Sequence, residues 1–229
     1  MDFSEFNFHP RIMSGITAAG FVTPTPIQAQ TIKPALGNTD VMGLAQTGTG
    51  KTAAFVLPIL QRLINGKRGH IRALIIAPTR ELSDQTNDCI RTLGRKTGLK
   101  SVTVYGGVSM FSQMNKLRAG VDIVVACPGR LLDYINRRAI NLSKLEVLVL
   151  DEADRMLDMG FIPDVRKIIY STPAKDKRQT LLFGATLTGQ ITRLASQWTS
   201  NPVTVEIEPE QVAVDTVEQI VYIVTDSEK

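Results

Sequence analysis

The feature that most constrains the fold is a series of short apolar runs: VMGLA (41–45), ALIIA (73–77), SVTVY (101–105), DIVVA (122–126), LEVLVLD (145–151), TLLFGA (180–185) and PVTVEI (202–207). Most are separated by segments long enough for a helix, and within each run the apolar character is nearly continuous rather than alternating. Strands buried on both faces read this way, because parallel strands need crossover helices and those helices cover both surfaces of the sheet. The rhythm predicts a three-layer α/β domain with a mostly parallel, twisted sheet and helices on both faces. Loops that carry chemistry are then expected at the carboxyl ends of the strands.

Residues 1–40 contain no such run. Within GFVTPTPIQ (20–28), Pro24 and Pro26 break helical continuation, so this part reads as an N-terminal flank packed on the sheet. From about Glu206 the chain turns acidic and polar around Pro209, as linkers do, and QIVYIVTD (219–226) reads as one further strand. A length of 229 residues with 43% hydrophobic and 21% charged residues supports a sizeable core and excludes a disordered chain. The net charge of +4 permits a polyanionic partner without requiring one. Cys89 and Cys127 lie far apart, and with only His9 and His70 beside them they argue against a Cys/His zinc site or a disulfide scaffold. The acidic start and the lack of any run of ~18 apolar residues predict neither signal peptide nor membrane span, hence a cytoplasmic protein.

The segment GLAQTGTGKT (43–52) directly follows the first strand-like run and precedes the helical pattern KTAAFVLPILQRLI. Gly48 and Gly50 allow the backbone through Gln46, Thr47 and Thr49 to curl, so that successive N–H groups and the following helix N-terminus converge on an anion. In this arrangement Lys51 reaches the β- and γ-phosphates and Thr52 ligates Mg²⁺. The GxxxxGK[ST] template expects Gly where Ala45 stands, and Pro58 is expected to kink the helix. Taken alone, the same residues could form a turn that merely ends a strand. Asp151 and Glu152 supply a second motif at the end of LEVLVL. An apolar strand ending in adjacent carboxylates can hold a metal's water shell with the first and activate an attacking water with the second. A solvated acidic turn is the alternative for that motif alone; both motifs, in this order on separate strands, describe a nucleoside triphosphate site.

Asp151, Glu152, Ala153 and Asp154 spell DEAD, and together with AQTGTGKT they make the chain resemble the first RecA-like domain of a DEAD-box ATP-dependent RNA helicase. That family's phosphate loop also opens with Ala. GFVTPTPIQ resembles the family's Q motif, PTREL (78–82) motif Ia, Gly106-Gly107 the GG element, PGR (128–130) motif Ib and Ala185-Thr186 part of motif III. The resemblance covers essentially the whole chain, and FIPDVRKII after DEADRMLDMG is similar to bacterial members. It implies a Q-motif flank over 1–40, a RecA-like ATP-binding domain over 41–207, and over 208–229 a linker and the start of a second RecA-like domain. ATP and Mg²⁺ are the implied cofactors.

The resemblance also implies roles. Gln28 would read the adenine edge, with Phe21 and Thr25 beside it, and Phe3, 17 residues before Gly20, would stack on the base. Gln46 to Thr52 would hold the phosphates. Lys51, Asp151 and Glu152 would be catalytic, and Thr52 and Asp151 would hold Mg²⁺ largely through water. Pro78, Thr79, Arg80, Gly106, Gly107, Pro128, Gly129 and Arg130 would hold one RNA strand by its backbone, without reading sequence. As lone residues, Arg80 and Arg130 would equally be solvated surface arginines. Asp154, Gly184 and Thr186 would couple the nucleotide site to RNA. The implied function is the nucleotide-binding half of a helicase that separates short duplexes locally; the alternative is an ATP-gated RNA clamp that uses hydrolysis only for release. The implied partners are RNA and the second RecA-like domain, with no membrane, and the isolated chain is expected to be a nearly inactive monomer. Two residues depart from the family pattern. Cys127 replaces the Thr of motif Ib with a weaker donor, and Gly184 replaces the Ser of motif III, whose hydroxyl bonds the DEAD carboxylate.

Overall fold

Each of the apolar runs becomes a strand in the computed structural model, which describes residues 1–186 and 188–208. The strands are β1 (Val41–Leu44), β2 (Ala73–Ile76), β3 (Ser101–Val104), β4 (Ile123–Ala126), β5 (Val147–Leu150), β6 (Gln179–Gly184) and β7 (Val203–Glu206). They form one sheet in the order β3-β4-β2-β5-β6-β1-β7, and every pairing is parallel, so the sheet is wholly rather than mostly parallel among the described residues. Val41 stands opposite both Leu181 and Val203.

The helices are α1 (Pro10–Ala18), α2 (Pro26–Leu36), α3 (Lys51–Leu63), α4 (Arg80–Leu93), α5 (Met110–Arg118), α6 (Pro128–Asn136), α7 (Ala153–Asp158), α8 (Ile162–Tyr170) and α9 (Gly189–Trp198). Side chains alternate across a strand, so each central strand feeds two cores. Leu181 and Phe183 join Phe55 and Leu57 of α3 on one face, while Leu182 joins Ile168 of α8 and Trp198 of α9 on the other. This is why the runs are apolar at both parities. Each fully buried side chain of this kind contributes about 1.5–3 kcal/mol.

The N-terminal flank packs on α3 and α4, and α2 also reaches β1 and β7. It buries Phe3, Phe6, Phe8, Ile12, Ile16 and Ile27. Pro26 does not end a helix; it occupies the first position of α2, where its missing N–H costs nothing. Pro58 stands inside α3, which continues to Leu63. The junction of β1, β6 and β7 is fixed by the buried Asp40: its carboxylate accepts from Thr180 N–H and Ser200 N–H, both at 2.7 Å, and its carbonyl accepts from Val203 N–H at 2.8 Å. The strand expected over 219–226 lies outside the described residues. No helix among the described residues is long and apolar enough to cross a membrane.

Candidate active site

β6 lies between β5 and β1, and this order brings three distant stretches of sequence side by side at the carboxyl edge. They are the phosphate loop after β1, the carboxylates after β5 and Gly184–Thr186 at the end of β6. The Ala45 N–H donates to the Gly184 carbonyl at 3.1 Å, extending the ladder into the loop.

Gly48 and Gly50 adopt φ of 82° and 91°, the left-handed backbone that curls N–H groups inward. The Thr49 hydroxyl closes the loop on the Gln46 carbonyl at 2.7 Å. Gly50 caps α3 without a side chain, which leaves the first amides of that helix for an anion. Lys51 is buried, and its ammonium donates to the Ala45 carbonyl and, at 3.0 Å, to the Gln46 carbonyl. Burial lowers its pKa, opposed by the charges of Asp151, Glu152 and Asp154. Thr52 follows, half-buried on the first turn. Gln28 spans from the flank to this loop: its carbonyl oxygen accepts from Thr25 N–H and its NH₂ donates to the Gly50 carbonyl, each at 3.1 Å. Phe21 is half-buried beside the Q-motif turn. The structure corrects the expectation for Phe3. Only 1% exposed and packed between Phe6 and Phe21, with ring centroids 6.2 and 6.1 Å away, it is a core residue with no face open to a base.

Asp151 is buried, and its pKa is pushed up to about 7, first by desolvation and then by the Glu152 charge, with Lys51 opposing. Glu152 takes φ 51° and ψ 53° as the cap of α7. A left-handed conformation at a residue with a Cβ costs about 1 kcal/mol or more, and such strain clusters at working sites. The Glu152 carboxylate lies 3.2 Å from the Arg155 guanidinium. One oxygen of Asp154 accepts from Ala185 N–H (2.8 Å), Thr186 N–H (3.0 Å) and the Thr186 hydroxyl (3.2 Å). The link that glycine at 184 was expected to remove is therefore made by the two residues after it.

This donor set fits the group that the sequence implies. Lys51 and Asp151 are each driven by burial toward neutrality, a condition that a ligand carrying both phosphate and cation would relieve. Carboxylates and a hydroxyl are the hard oxygen ligands that Mg²⁺ takes, and the curled N–H groups suit phosphate.

A second group of loops lies on the neighbouring strands β2, β4 and β3. Thr79 caps α4, its hydroxyl accepting from Leu82 N–H at 3.3 Å. Arg80 is exposed, its guanidinium carbon 5.9 Å above the Tyr105 ring. It lies so close to Gly107 (φ 80°) that a Cβ there would fall 2.0 Å from its Nη2. The Tyr105 hydroxyl donates to Asp84 at 2.8 Å. Cys127 caps α6 and sits 3.5 Å from the Ser83 hydroxyl, with its pKa raised by burial. Pro78 and Pro128 are buried and fix backbone, whereas Gly107 and Gly129 are exposed and Gly106 and Arg130 half-buried. Arg130 donates to the Val108 carbonyl at 3.3 Å. All these residues share the carboxyl edge with the nucleotide loops.

A family model described as DEAD/DEAH box helicase matches residues 25–194. The chain belongs to the DEAD/DEAH box helicase family. It is 52% identical to the ATP-dependent RNA helicase RhlB of Pseudomonas aeruginosa over 99% of this chain and 59% of that protein. It is 46% identical to the DEAD-box ATP-dependent RNA helicase CshA of Streptococcus pneumoniae, over all of this chain and 43% of that protein. A crystal structure of a DEAD box protein from the hyperthermophile Methanococcus jannaschii is similar with a TM-score of 0.85 and 38% identity, over 91% of this chain and 56% of that one. The chain thus spans three-fifths or less of the relatives it matches. In this DEAD-box chain, sequence reasoning passed over Arg155, Tyr105 and Asp84. The i, i+3 spacing of Glu152 and Arg155 could have revealed the first, whereas 21 residues separate Tyr105 from Asp84 and only the fold pairs them.

Proposed function

We propose that this chain is the nucleotide-binding half of an ATP-dependent RNA helicase, a cytoplasmic protein that separates short duplexes locally and whose second RecA-like domain follows this one. The observation that carries the reading is the side-by-side placement of the phosphate loop, the DEAD carboxylates and Gly184–Thr186 on β1, β5 and β6. The activities for which the relatives are named, and the fact that they extend well beyond this chain, support it.

Gln28 would turn its amide to the adenine edge, a donor/acceptor pattern that guanine does not present, with Phe21 and Thr25 lining the approach. Lys51 would exchange its two carbonyl partners for phosphate oxygens, supported by the amides from Gln46 to Thr52. Thr52 and Asp151 would hold Mg²⁺. When bound, Mg²⁺ neutralises charge on the β- and γ-phosphate oxygens. Glu152 would orient the attacking water and accept its proton on the carboxylate. Thr79, Arg80, Gly106, Gly107, Gly129 and Arg130, fixed in place by Pro78 and Pro128, would hold the sugar-phosphate backbone of RNA. Asp154 and Thr186 would link the two sites.

In the complete two-domain protein, Glu152→Gln keeps size and hydrogen-bonding reach but removes the base. We expect nucleotide and RNA binding to survive while hydrolysis falls about 10²–10⁴-fold, leaving a trapped complex. Phosphate release near the parental rate would transfer the role to another carboxylate, such as Asp154.

A further inference from the structure

We propose that Phe111 is a nucleobase-stacking residue, taking a base of the strand whose backbone lies on Gly106, Gly107 and Arg130; the proposal rests on the reading of those residues as an RNA-backbone site. Phe111 is 73% exposed, and Val108, three residues earlier, is 44% exposed. Single exposed apolar side chains are ordinary on protein surfaces. Three observations set this one apart.

The first is place. Phe111 lies in the first turn of α5, after the short loop that follows β3, so it stands at the carboxyl edge, with Gly106 and Gly107 just before it in the chain and Arg130 bonded to the carbonyl of Val108. The second is rigidity. The Tyr134 hydroxyl donates to the Met110 carbonyl at 3.2 Å, and the Gln113 amide accepts from Tyr105 N–H at 3.0 Å and donates to the Tyr105 carbonyl at 3.1 Å. These bonds tie the backbone on both sides of Phe111 to the residue that follows β3 and to α6. The ring thus projects from a fixed stretch of backbone, so little further ordering of the main chain is needed when a flat partner lands on it. The third is charge. The sequence of α5, MFSQMNKLR, has no carboxylate, its two cations lie in its last turn away from this edge, and the basic groups at the approach are Arg80, beside Gly107, and Arg130, bonded to the Val108 carbonyl. A phenyl ring has no donor or acceptor and offers only an apolar π face. With two arginines and no carboxylate of its own helix on this side, such a face suits a flat heterocycle on a polyanion better than an apolar protein surface, and every base can stack on it whatever its sequence.

The test uses the 229-residue chain and two probes, a single-stranded oligouridylate and an abasic oligoribose phosphate of equal length. Phe111→Ala should bind the base-bearing strand about tenfold more weakly than the parent and the abasic strand equally well, with Phe111→Trp restoring affinity. Arg130→Ala should weaken both probes alike. Tyr170→Ala removes an aromatic that is 80% exposed at the C-terminal end of α8, near the opposite edge of the sheet, and should change neither. If Phe111→Ala matches the parent on the base-bearing strand while Arg130→Ala is weak, stacking is wrong and the backbone site stands. If Arg130→Ala also matches the parent, both readings fall. Photocrosslinking with 5-iodouridine RNA, mapped by mass spectrometry, decides the matter even for weak binding: the adduct should fall on Phe111, and adducts elsewhere without one at Phe111 overturn the proposal.

Discussion

At the scale of single residues, Gln28 has two duties. Its amide already bonds Thr25 and Gly50, so the group proposed to read the base also ties the flank to the phosphate loop. Gln28→Ala should abolish the preference for adenine over guanine nucleotides and also lower stability by about 1 kcal/mol, since helix-start and buried amide bonds are lost. Calorimetry with ADP and GDP, run beside a thermal melt, separates the two effects; unchanged selectivity would leave Gln28 with a structural duty only. Gly184 is a second instructive residue. Its φ lies outside the left-handed region, and a Cβ there would stand 3.3 Å from Asp154 Oδ1, so the carboxylate must give by a few tenths of an ångström. With that small adjustment Gly184→Ser should add a hydroxyl bond to Asp154 and remove backbone freedom from the unfolded chain. The expected gain is about 0.5–1 kcal/mol, read as a melting temperature higher by about 1–4 °C. Because Ala185 and Thr186 already bind Asp154, duplex separation per ATP in the two-domain protein should rise only modestly in this variant.

At the scale of elements, the site depends on where β6 lies, and Asp40 helps to keep it there. The Asp40 carboxylate satisfies the Thr180 amide near the start of β6 and the Ser200 amide before β7, and its charge counters the effect of burial on Arg178. Asp40→Ala would leave two amides without their acceptor and remove the charge that favours the buried Arg178 cation, and we expect a loss of about 2–4 kcal/mol in denaturant unfolding. Burial raises the Asp40 pKa above the ordinary 3.8. A raised carboxyl stabilises the fold fully below that ordinary value, and the stabilisation is lost as pH rises through the folded value. The parent's advantage over Asp40→Asn should thus shrink with rising pH, and unfolding curves at several pH values would show it.

At the scale of the whole molecule, this chain is half of a proposed two-domain machine. In phosphoryl-transfer enzymes an arginine finger supplies about 10³–10⁵ in rate, and in the proposed two-domain protein such an arginine would come from the second domain. The 229 residues alone should bind Mg-nucleotide yet neither hydrolyse ATP briskly nor unwind RNA. RNA-stimulated turnover by the purified chain at the rate of two-domain relatives would refute this. Much of that architecture was legible beforehand, because it rests on local chemistry. A run such as ALIIA reads as a strand buried on both faces, TGTGKT curls where Gly allows it, and Asp151-Glu152 at a strand end places carboxylates at the sheet's edge. Lateral strand order was not legible, since no strand's sequence names its neighbour; long-range packing set β6 between β5 and β1. The same packing buried Phe3 between two other aromatics, gave Asp154 its three donors from the next loop, and closed Tyr105 on Asp84 across 21 residues. The sequence by itself determined the strands, the crossover rhythm and the chemical groups at each loop, because these follow from periodicity and residue type. Only the tertiary structure decided which groups meet, because contact between distant residues depends on how whole layers pack.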